Sequence, residues 1–147
     1  MKVKDILKVK GTKVYTISEN STLMAATAKF FSNKIGSLVV INDKDEIVGI
    51  ISPNDILKAV HEGCTENCAL QKVSEVMTKN IICASEEDSI DYIQAVMTEN
   101  RVRHIPIMEK NELKGLISIG DVVSAQINVR EVENRYLIDY IEGKYPA

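Results

Sequence analysis

Two copies of a short motif place an aspartate three residues after a serine, directly behind an apolar segment. The first copy is Gly49-Ile50-Ile51-Ser52-Pro53-Asn54-Asp55, and the second is Gly115-Leu116-Ile117-Ser118-Ile119-Gly120-Asp121. A serine followed three positions later by an acid is the pattern of a capping box, which predicts that a helix begins at each copy. The unpaired N–H groups of a helix N-terminus suit a phosphate, and an Asp there has two oxygens that can accept from ribose hydroxyls. Each motif therefore has two open interpretations, a helix cap alone or a helix cap that also binds a nucleotide.

Arg103 and His104 are the second candidate group, because they stand at the entrance of an apolar strand. An arginine can bind phosphate through charge-assisted hydrogen bonds, and a histidine can donate a hydrogen bond or respond to pH. The alternative is a solvated pair with no ligand. The matching positions of the first half are Gly36 and Ser37, which bring no charge. We therefore expect two unequal sites, with the Asp121 site holding phosphate better.

The two motifs belong to a longer internal repeat, which predicts two similar halves. The offset is 66 residues at the glycines (115 − 49) and 67 at Val14 and Ile81 (81 − 14), so one residue is lost at a turn. Each half reads as a short helical segment, then strand, helix, hairpin and helix. The predicted fold is α+β, with two β-α-β-β-α repeats and a long C-terminal helix.

The predicted elements follow from hydrophobic periodicity and from turn residues. Gly36 is expected to end the second helical segment, and Gly143 with Pro146 the last one. The final helix carries an apolar stripe that we expect to pack on the rest of the chain or across a dimer. The predicted ranges in the first half are 3–7, 14–17, 23–33, 37–41, 47–51 and 52–61, and those in the second are 73–77, 81–83, 90–97, 105–108, 113–117 and a helix running on past 121. The stripe consists of Val122, Val123, Gln126, Ile127, Tyr136, Leu137, Tyr140 and Ile141.

Composition argues against several classes of function. A net charge of −3 disfavours nucleic acid as the partner, because phosphate backbones need a basic surface. The sequence has no apolar run of about 20 residues, so no membrane span is predicted, and its first residues do not resemble a signal peptide. The odd count of three cysteines suits a reducing compartment, so a cytoplasmic location is expected.

Metal binding and catalysis receive little support from the sequence. His61, Cys64 and Cys68 would share one face of a helix, but a fourth ligand is missing, so we predict no metal site. Neither a glycine-rich phosphate loop nor a Ser-His-Asp or Cys-His set is evident. The chain is therefore predicted not to be an enzyme.

Taken together, the repeated motif and two flanking segments carry a family resemblance. With Val102-Arg103-His104-Ile105-Pro106-Ile107 and Lys114-Gly115-Leu116-Ile117-Ser118, the chain resembles a tandem pair of cystathionine-β-synthase (CBS) domains, the Bateman module. Its opening Val3-Lys4-Asp5-Ile6-Leu7 and its long last helix with Tyr140-Ile141 resemble the small stand-alone bacterial proteins of that family. The resemblance implies a pseudo-two-fold pair of repeats. The implied boundaries are repeat 1 at 1–62, a connector at 63–72, repeat 2 at 73–128 and a C-terminal helix extension at 129–147.

The resemblance also implies a function. Such modules are regulatory sensors that bind an adenosine nucleotide, AMP, ADP, ATP or NAD(H), in the cleft between the repeats, and they commonly form homodimers. The regulated protein would be a separate, unidentified partner. Two alternatives stay open, a structural oligomerisation or scaffold module without ligand, and binding of S-adenosylmethionine.

Residue by residue, the resemblance implies ribose or phosphate contacts for the motif residues and adenine contacts for the strand ends. Cys83 also has a simpler interpretation as a small core residue in a strand, and the adenine-wall residues could all be plain core. The implied ribose and phosphate residues are Ser52, Asp55, Arg103, His104, Ser118 and Asp121. The implied adenine-site residues are Thr16, Ile17, Ser37, Leu38, Cys83, Ala84 and Ile105.

Overall fold

The computed structural model describes residues 1–63 and 67–143, with the backbone alone at 128–133, 136, 139 and 140. The chain divides into two compact units, one formed by residues 13–83 and the other by Met1–Thr12 together with the chain from Ala84 onward. Helices and small sheets occur in both units, so the predicted α+β class is confirmed. In chain order the elements are α1 (Val3–Lys10), β1 (Thr16–Ser18), α2 (Leu23–Asn33), β2 (Leu38–Ile41), β3 (Ile47–Ile51), α3 (Pro53–His61), a 3-10 turn (Cys68–Leu70), α4 (Val73–Val76), α5 (Ile90–Asn100), β4 (His104–Glu109), β5 (Glu112–Ser118) and α6 (Ile119–Ile141).

The unit of residues 13–83 is built on a sheet with the strand order β1-β2-β3. β1 runs parallel to β2, and β2 runs antiparallel to β3 with Leu38 opposite Ile51. The predicted turn between β2 and β3 is held by the side-chain oxygen of Asn42, which accepts the N–H groups of Lys44 at 2.9 Å and Glu46 at 3.0 Å. The last strand of this hairpin, β3, ends directly before the first Ser-x-x-Asp motif.

The core of this unit is mostly aliphatic, and Phe30 is its aromatic member. Helix α2 buries Leu23, Ala26 and Phe30, which share one face at the spacing i, i+3 and i+7. The continuous apolar run of β2 is buried, as expected for an inner strand. The buried cluster consists of Ile17, Leu23, Ala26, Phe30, Leu38, Val40, Ile51 and Val73.

The second unit is built on the β4-β5 hairpin, with Ile105 opposite Ile117 and His104 opposite Ser118. Its turn is formed by Lys110 and Asn111, both at positive φ, a backbone that matches the twist of a tight hairpin. Helices α1, α5 and α6 supply the rest of the core. The buried cluster consists of Val3, Ile6, Leu7, Ile90, Ile93, Met97, Ile105, Ile107, Ile117 and Val122.

Helix α1 is tied to the segment before α5, although more than 70 residues separate them along the chain. The N–H of Val3 donates to the carbonyl of Asp88 at 2.9 Å, and the N–H of Lys4 donates to that of Glu86 at 3.0 Å. The Lys2 and Lys4 ammonium groups both donate to Glu87, and these hydrogen bonds lower the pKa of its exposed carboxyl to about 2. Residues 1–12 therefore belong structurally with the chain from residue 84 onward.

The compact units and the sequence repeats have different boundaries. Helix α1 opens the first repeat but packs in the second unit, whereas α4 opens the second repeat but packs in the unit of residues 13–83. The N–H of Val73 donates to the carbonyl of Ser21 at 2.8 Å, which fixes α4 there. Each unit thus takes its leading helix from the other repeat.

Two local predictions are wrong. Residues 81–83 form no strand; the described contact at this point is a single bridge in which Ala84 pairs with Ile107. β-rich composition is insufficient here because a strand also needs a continuous ladder of partners. Helix α2 is ended by Lys34 in the left-handed conformation, at φ 52°, and not by Gly36.

The long C-terminal helix is confirmed as α6, but part of its apolar stripe faces solvent. Val122 is fully buried, whereas Leu137 is 55% and Ile141 82% exposed. Val123 and Ile127 are also exposed. The side chains of Tyr136 and Tyr140, and the whole of Pro146, lie outside the described residues.

Candidate functional site

The first Ser-x-x-Asp motif forms a helix cap at the junction of β3 and α3. Ser52 is extended, with φ −126°, and Pro53 occupies the first helical turn. The Ser52 N–H donates to Asp55 Oδ2 at 2.9 Å, and the Ser52 hydroxyl lies 3.2 Å from the same oxygen. Asp55 Oδ1 accepts from the hydroxyl of Thr78 at 3.3 Å. The capping prediction is confirmed, and the remaining partner of this carboxylate is neutral.

The second motif forms the same cap at the junction of β5 and α6. The Ser118 N–H donates to Asp121 Oδ2 at 2.8 Å, and the Asp121 N–H donates to Ser118 Oγ at 3.2 Å. This reciprocal pair satisfies two of the N–H groups that a helix start leaves unpaired. A cap of this kind needs no ligand, so it cannot by itself decide between the two interpretations of the motif.

Lys10 is the residue that distinguishes the second motif from the first. Its ammonium donates to Asp121 Oδ2 at 2.7 Å and to the carbonyl of Leu116 at 2.7 Å. The two side chains are 35% and 22% exposed, so the ion pair is accessible to solvent. Asp121 Oδ1 makes no hydrogen bond to any residue in 1–63 or 67–143. One oxygen of the carboxylate thus carries both contacts and leaves the other available.

The position of Lys10 depends on the packing of α1 against β5. Gly115 lies directly beside Leu7, and a Cβ built on this glycine would stand 2.6 Å from Leu7 Cδ2. The close approach brings the last turn of α1 to the start of α6. Sequence reasoning missed Lys10, since it lies 111 residues from Asp121 and the only local signal was a basic residue ending a helix before Gly11.

The electrostatics of Asp121 favour its charged form. Burial would raise the pKa of this carboxyl, but the hydrogen bonds from Lys10 and from the Ser118 N–H outweigh burial, so the pKa falls below its ordinary value. The carboxylate is therefore an acceptor at neutral pH, which suits contacts to hydroxyl donors.

His104 and Arg103 lie at the start of β4, close to the same helix end. The half-buried His104 pairs with Ser118 across the hairpin. Its pKa is lowered, first by burial, then by the positive charges of Lys10 and Arg103, against the opposing effect of Asp121. The Arg103 side chain is exposed and makes no hydrogen bond or ion pair with the part of the chain that is described, while its carbonyl accepts the Ile119 N–H at 2.8 Å.

The matching position in the unit of residues 13–83 carries no charge. Ser37 directly precedes β2, as His104 begins β4, and it is only 4% exposed. The structure therefore groups Ser118, Asp121, Arg103 and His104 with Lys10 in one unit, and Ser52 with Asp55 in the other.

The expected adenine-wall residues are mostly core. Leu38 and Ile105 are completely buried, and Ile17 is 3% exposed. The Thr16 carbonyl accepts from the Lys29 ammonium at 2.7 Å. Ala84 is half-buried and bridges Ile107.

Cys83 differs from the expectation of a small core residue in a strand. It is exposed and lies outside any strand. Its thiol is therefore no part of either aliphatic core.

For the described residues there is no group of His, Cys, Asp and Glu side chains that could hold a metal ion. Of the three residues weighed for such a site, Cys64 lies outside the described ranges and Cys68 is disulfide-bonded. No described helix combines the length and the apolar character that crossing a bilayer requires.

Comparisons with known proteins agree with the repeat and the fold. The family model of the CBS domain matches residues 3–62 and 73–128. A CBS-domain-containing protein of Agrobacterium tumefaciens is a similar solved structure, with a TM-score of 0.82, 36% identity, and coverage of 85% of this chain and 92% of that chain. The mitochondrial CBS domain-containing protein CBSX3 of Arabidopsis thaliana is 30% identical, over 97% of this chain and 73% of its own length.

Similar structures of one other protein contain ligands. The CBS domain pair of protein MJ0100, in complex with 5′-methylthioadenosine and S-adenosyl-L-methionine, matches with a TM-score of 0.74 and 25% identity, covering 85% of this chain and 98% of that chain. Both of its ligands contain adenosine.

Proposed function

The chain belongs to the CBS-domain family, and on that basis we propose that it is a regulatory module that binds an adenosine nucleotide, AMP, ADP, ATP or NAD(H), at the Asp121 site. The observation that carries the proposal is the Asp121 carboxylate itself. It is ionised, it stands at a helix N-terminus, and its Oδ1 has no partner among the described residues. A ribose hydroxyl can donate to that oxygen.

Charge around the site favours a ligand with phosphate. Lys10, Arg103 and His104 surround the start of α6, where the helix dipole also attracts an anion. The MJ0100 complex supports the adenosine part of the ligand, and S-adenosylmethionine is the second candidate for that reason. S-adenosylmethionine carries no phosphate for these cationic groups to bind, so we place phosphate-bearing ligands first.

The Asp55 site is proposed as the weaker of the two. Its carboxylate contacts a hydroxyl, and Ser37 replaces the histidine of the other unit. A phosphate there would meet only the helix N-terminus and neutral donors. The proposed adenine contacts, Thr16, Ile17, Ser37 and Leu38 in one unit and Cys83, Ala84 and Ile105 in the other, remain part of this proposal.

We also propose that the chain forms a homodimer and that it regulates a separate, unidentified protein. Exposed apolar side chains lie on α2 and α3, including Phe31 at 80% and Leu57 at 66% exposure. An apolar groove of about 500 Å³ is lined by residues of the same two helices, Met24 and Val60 among them. Surfaces of this kind commonly mark protein contacts. A nucleotide would act by shifting the population of the state that the regulated protein recognises.

Thermal unfolding in the presence of candidate ligands tests the proposal. AMP, ATP, NADH and S-adenosylmethionine are compared with GMP, which keeps the phosphate but changes the base. Ligand at about 100 times its Kd stabilises the native state by about 2.7 kcal/mol, so a shift of several degrees in the midpoint is expected for AMP, ATP or NADH. If S-adenosylmethionine alone shifts the midpoint, the ligand is S-adenosylmethionine and not an adenosine nucleotide.

The main competing function is a structural scaffold without ligand. It is favoured by the two caps, which are complete in the protein alone. No midpoint shift with any of the adenosine compounds at millimolar concentration would establish the scaffold and reject the sensor.

A further inference from the structure

Lys10 contacts one oxygen of the Asp121 carboxylate, and the ligand is proposed to use the other. Its ammonium lies 2.7 Å from Asp121 Oδ2 and donates as well to the Leu116 carbonyl. The ammonium, the carboxylate and the carbonyl form a small cluster at the end of α1, and the Lys10 side chain remains partly exposed. In the ligand-free protein Lys10 is thus the counter-ion of the proposed ribose acceptor.

The other unit provides an internal comparison. Gly49 lies against Met77, the residue that follows α4, and Gly115 lies against Leu7 of α1, so the leading helical segment of a repeat approaches each motif glycine. The group that reaches the carboxylate differs, because Asp55 receives the Thr78 hydroxyl and Asp121 receives an ammonium. The Asp121 carboxylate thus contacts a charged group, whereas the Asp55 carboxylate contacts a neutral one.

We propose that Lys10 is a specificity-determining residue that selects phosphorylated adenosine ligands over unphosphorylated ones at the Asp121 site. The inference rests on the proposed function. A ribose hydroxyl that donates to the unoccupied Asp121 Oδ1 leaves Lys10 on Oδ2, so the partly exposed ammonium lies next to the bound ligand. A ligand phosphate can accept a charge-assisted hydrogen bond from that ammonium, whereas adenosine offers it no anion.

The surroundings of Lys10 add to its attraction for phosphate. Arg103 adds a second positive charge on the same side, and the pKa of His104 is lowered by burial and then by the charges of Lys10 and Arg103. An anion reduces the repulsion between the Lys10 and Arg103 charges. A neutral ligand has no such effect.

Calorimetric titration of AMP and of adenosine tests the assignment, because the two ligands differ only in the phosphate. Lys10→Met is compared with the wild type and with Lys8→Met, which removes the same charge from the exposed face of the same helix. We expect the ratio of the adenosine Kd to the AMP Kd to fall about tenfold or more in Lys10→Met, through weaker AMP binding. Lys8→Met is expected to keep the wild-type ratio.

The outcomes separate this inference from the function on which it rests. Binding of both ligands by Lys10→Met with an unchanged ratio would overturn the role of Lys10 and leave the nucleotide site standing. Failure of the wild type to bind either ligand would overturn both. If Lys10→Met fails to fold, Lys10→Gln, which retains a hydrogen-bond donor without the charge, provides the same ratio of the two Kd values. An equal loss of affinity for AMP and adenosine would indicate that Lys10 has a merely structural role.

Discussion

Individual residues decide how two copies of one motif acquire different chemistry. Ser52 with Asp55 and Ser118 with Asp121 form nearly the same cap, yet one carboxylate contacts a hydroxyl and the other an ammonium. The difference comes from residues outside the motifs. A short repeated pattern therefore specifies the local backbone, whereas tertiary neighbours specify its electrostatic environment.

His104 is expected to make stability depend on pH. Its pKa is lowered in the folded protein by burial and by Lys10, so the unfolded chain binds the proton more tightly. The contribution of His104 to the free energy of unfolding is therefore complete above the ordinary histidine pKa of about 6.5. It is lost as the pH falls from there toward the lower pKa of the folded state. Urea unfolding at pH 7.5 and 5.5 measures this loss.

The control for that prediction is the other histidine. His104→Gln should reduce the loss between the two pH values, whereas His61→Gln, on the exposed end of α3, should leave it unchanged. An equal pH dependence in wild type and His104→Gln would show that the lowered pKa of His104 does not govern stability in this range.

At the level of elements, each motif glycine is required by the close approach of a helix. A Cβ at Gly49 would meet Met77 Sδ at 2.5 Å and the backbone oxygen of Thr78 at 2.9 Å. At Gly115 the three atoms nearest to a Cβ all belong to the side chain of Leu7. Side chains can rotate, but backbone cannot move without disturbing the bridge between Ile50 and Thr78. The two glycines should therefore differ in their tolerance of a methyl group.

Gly49→Ala should destabilise by about 1–3 kcal/mol, the usual range for overpacking, and Gly115→Ala by less. Gly120→Ala is the matched control, since its Cβ would lie 3.5 Å from Ser118 Oγ, an ordinary contact. Denaturant midpoints of the three variants give the comparison. A larger cost for Gly115→Ala than for Gly49→Ala would contradict the role assigned to the Thr78 backbone.

Most elements could be predicted from the sequence because they depend on local patterns. Helix α2 follows from its apolar spacing, and the hairpins follow from turns between apolar runs. The segment 81–83 could not be predicted, because whether a β-rich stretch becomes a strand depends on partners elsewhere in the chain. Lys10 was missed for the same physical reason, since its contact with Asp121 exists only after α1 has packed.

At the level of the whole molecule, the sequence repeats do not coincide with the compact units. Residues 1–12 contribute Val3, Ile6 and Leu7 to the core of the unit that continues from Ala84. The resemblance to a pair of CBS domains implied a first repeat at 1–62, because repeats are defined by similarity of sequence and not by which segments pack together. The sequence repeats and the compact units differ in where they place the leading helix of each repeat.

Leu7→Ala tests this division through hydrogen exchange. Removing a buried leucine side chain typically costs about 2–5 kcal/mol, and Leu7 is 4% exposed in the second unit. Amides of β4 and β5 should therefore exchange faster, with smaller changes in β2 and β3. Ile17→Ala, 3% exposed in the other unit, should give the reverse pattern. Equal acceleration of all four strands in both variants would contradict the division into units.

The most direct measurement is the calorimetric titration of AMP into the wild type, Asp121→Asn and Asp55→Asn. Asparagine keeps an oxygen that can accept the capping N–H, so the fold is retained while the charge is lost. Loss of a hydrogen bond to a charged group predicts that Asp121→Asn binds AMP roughly 10- to 100-fold more weakly, while Asp55→Asn changes the main binding event little. Wild-type affinity in a folded Asp121→Asn variant, or loss of binding in Asp55→Asn instead, would contradict a nucleotide site built on Asp121.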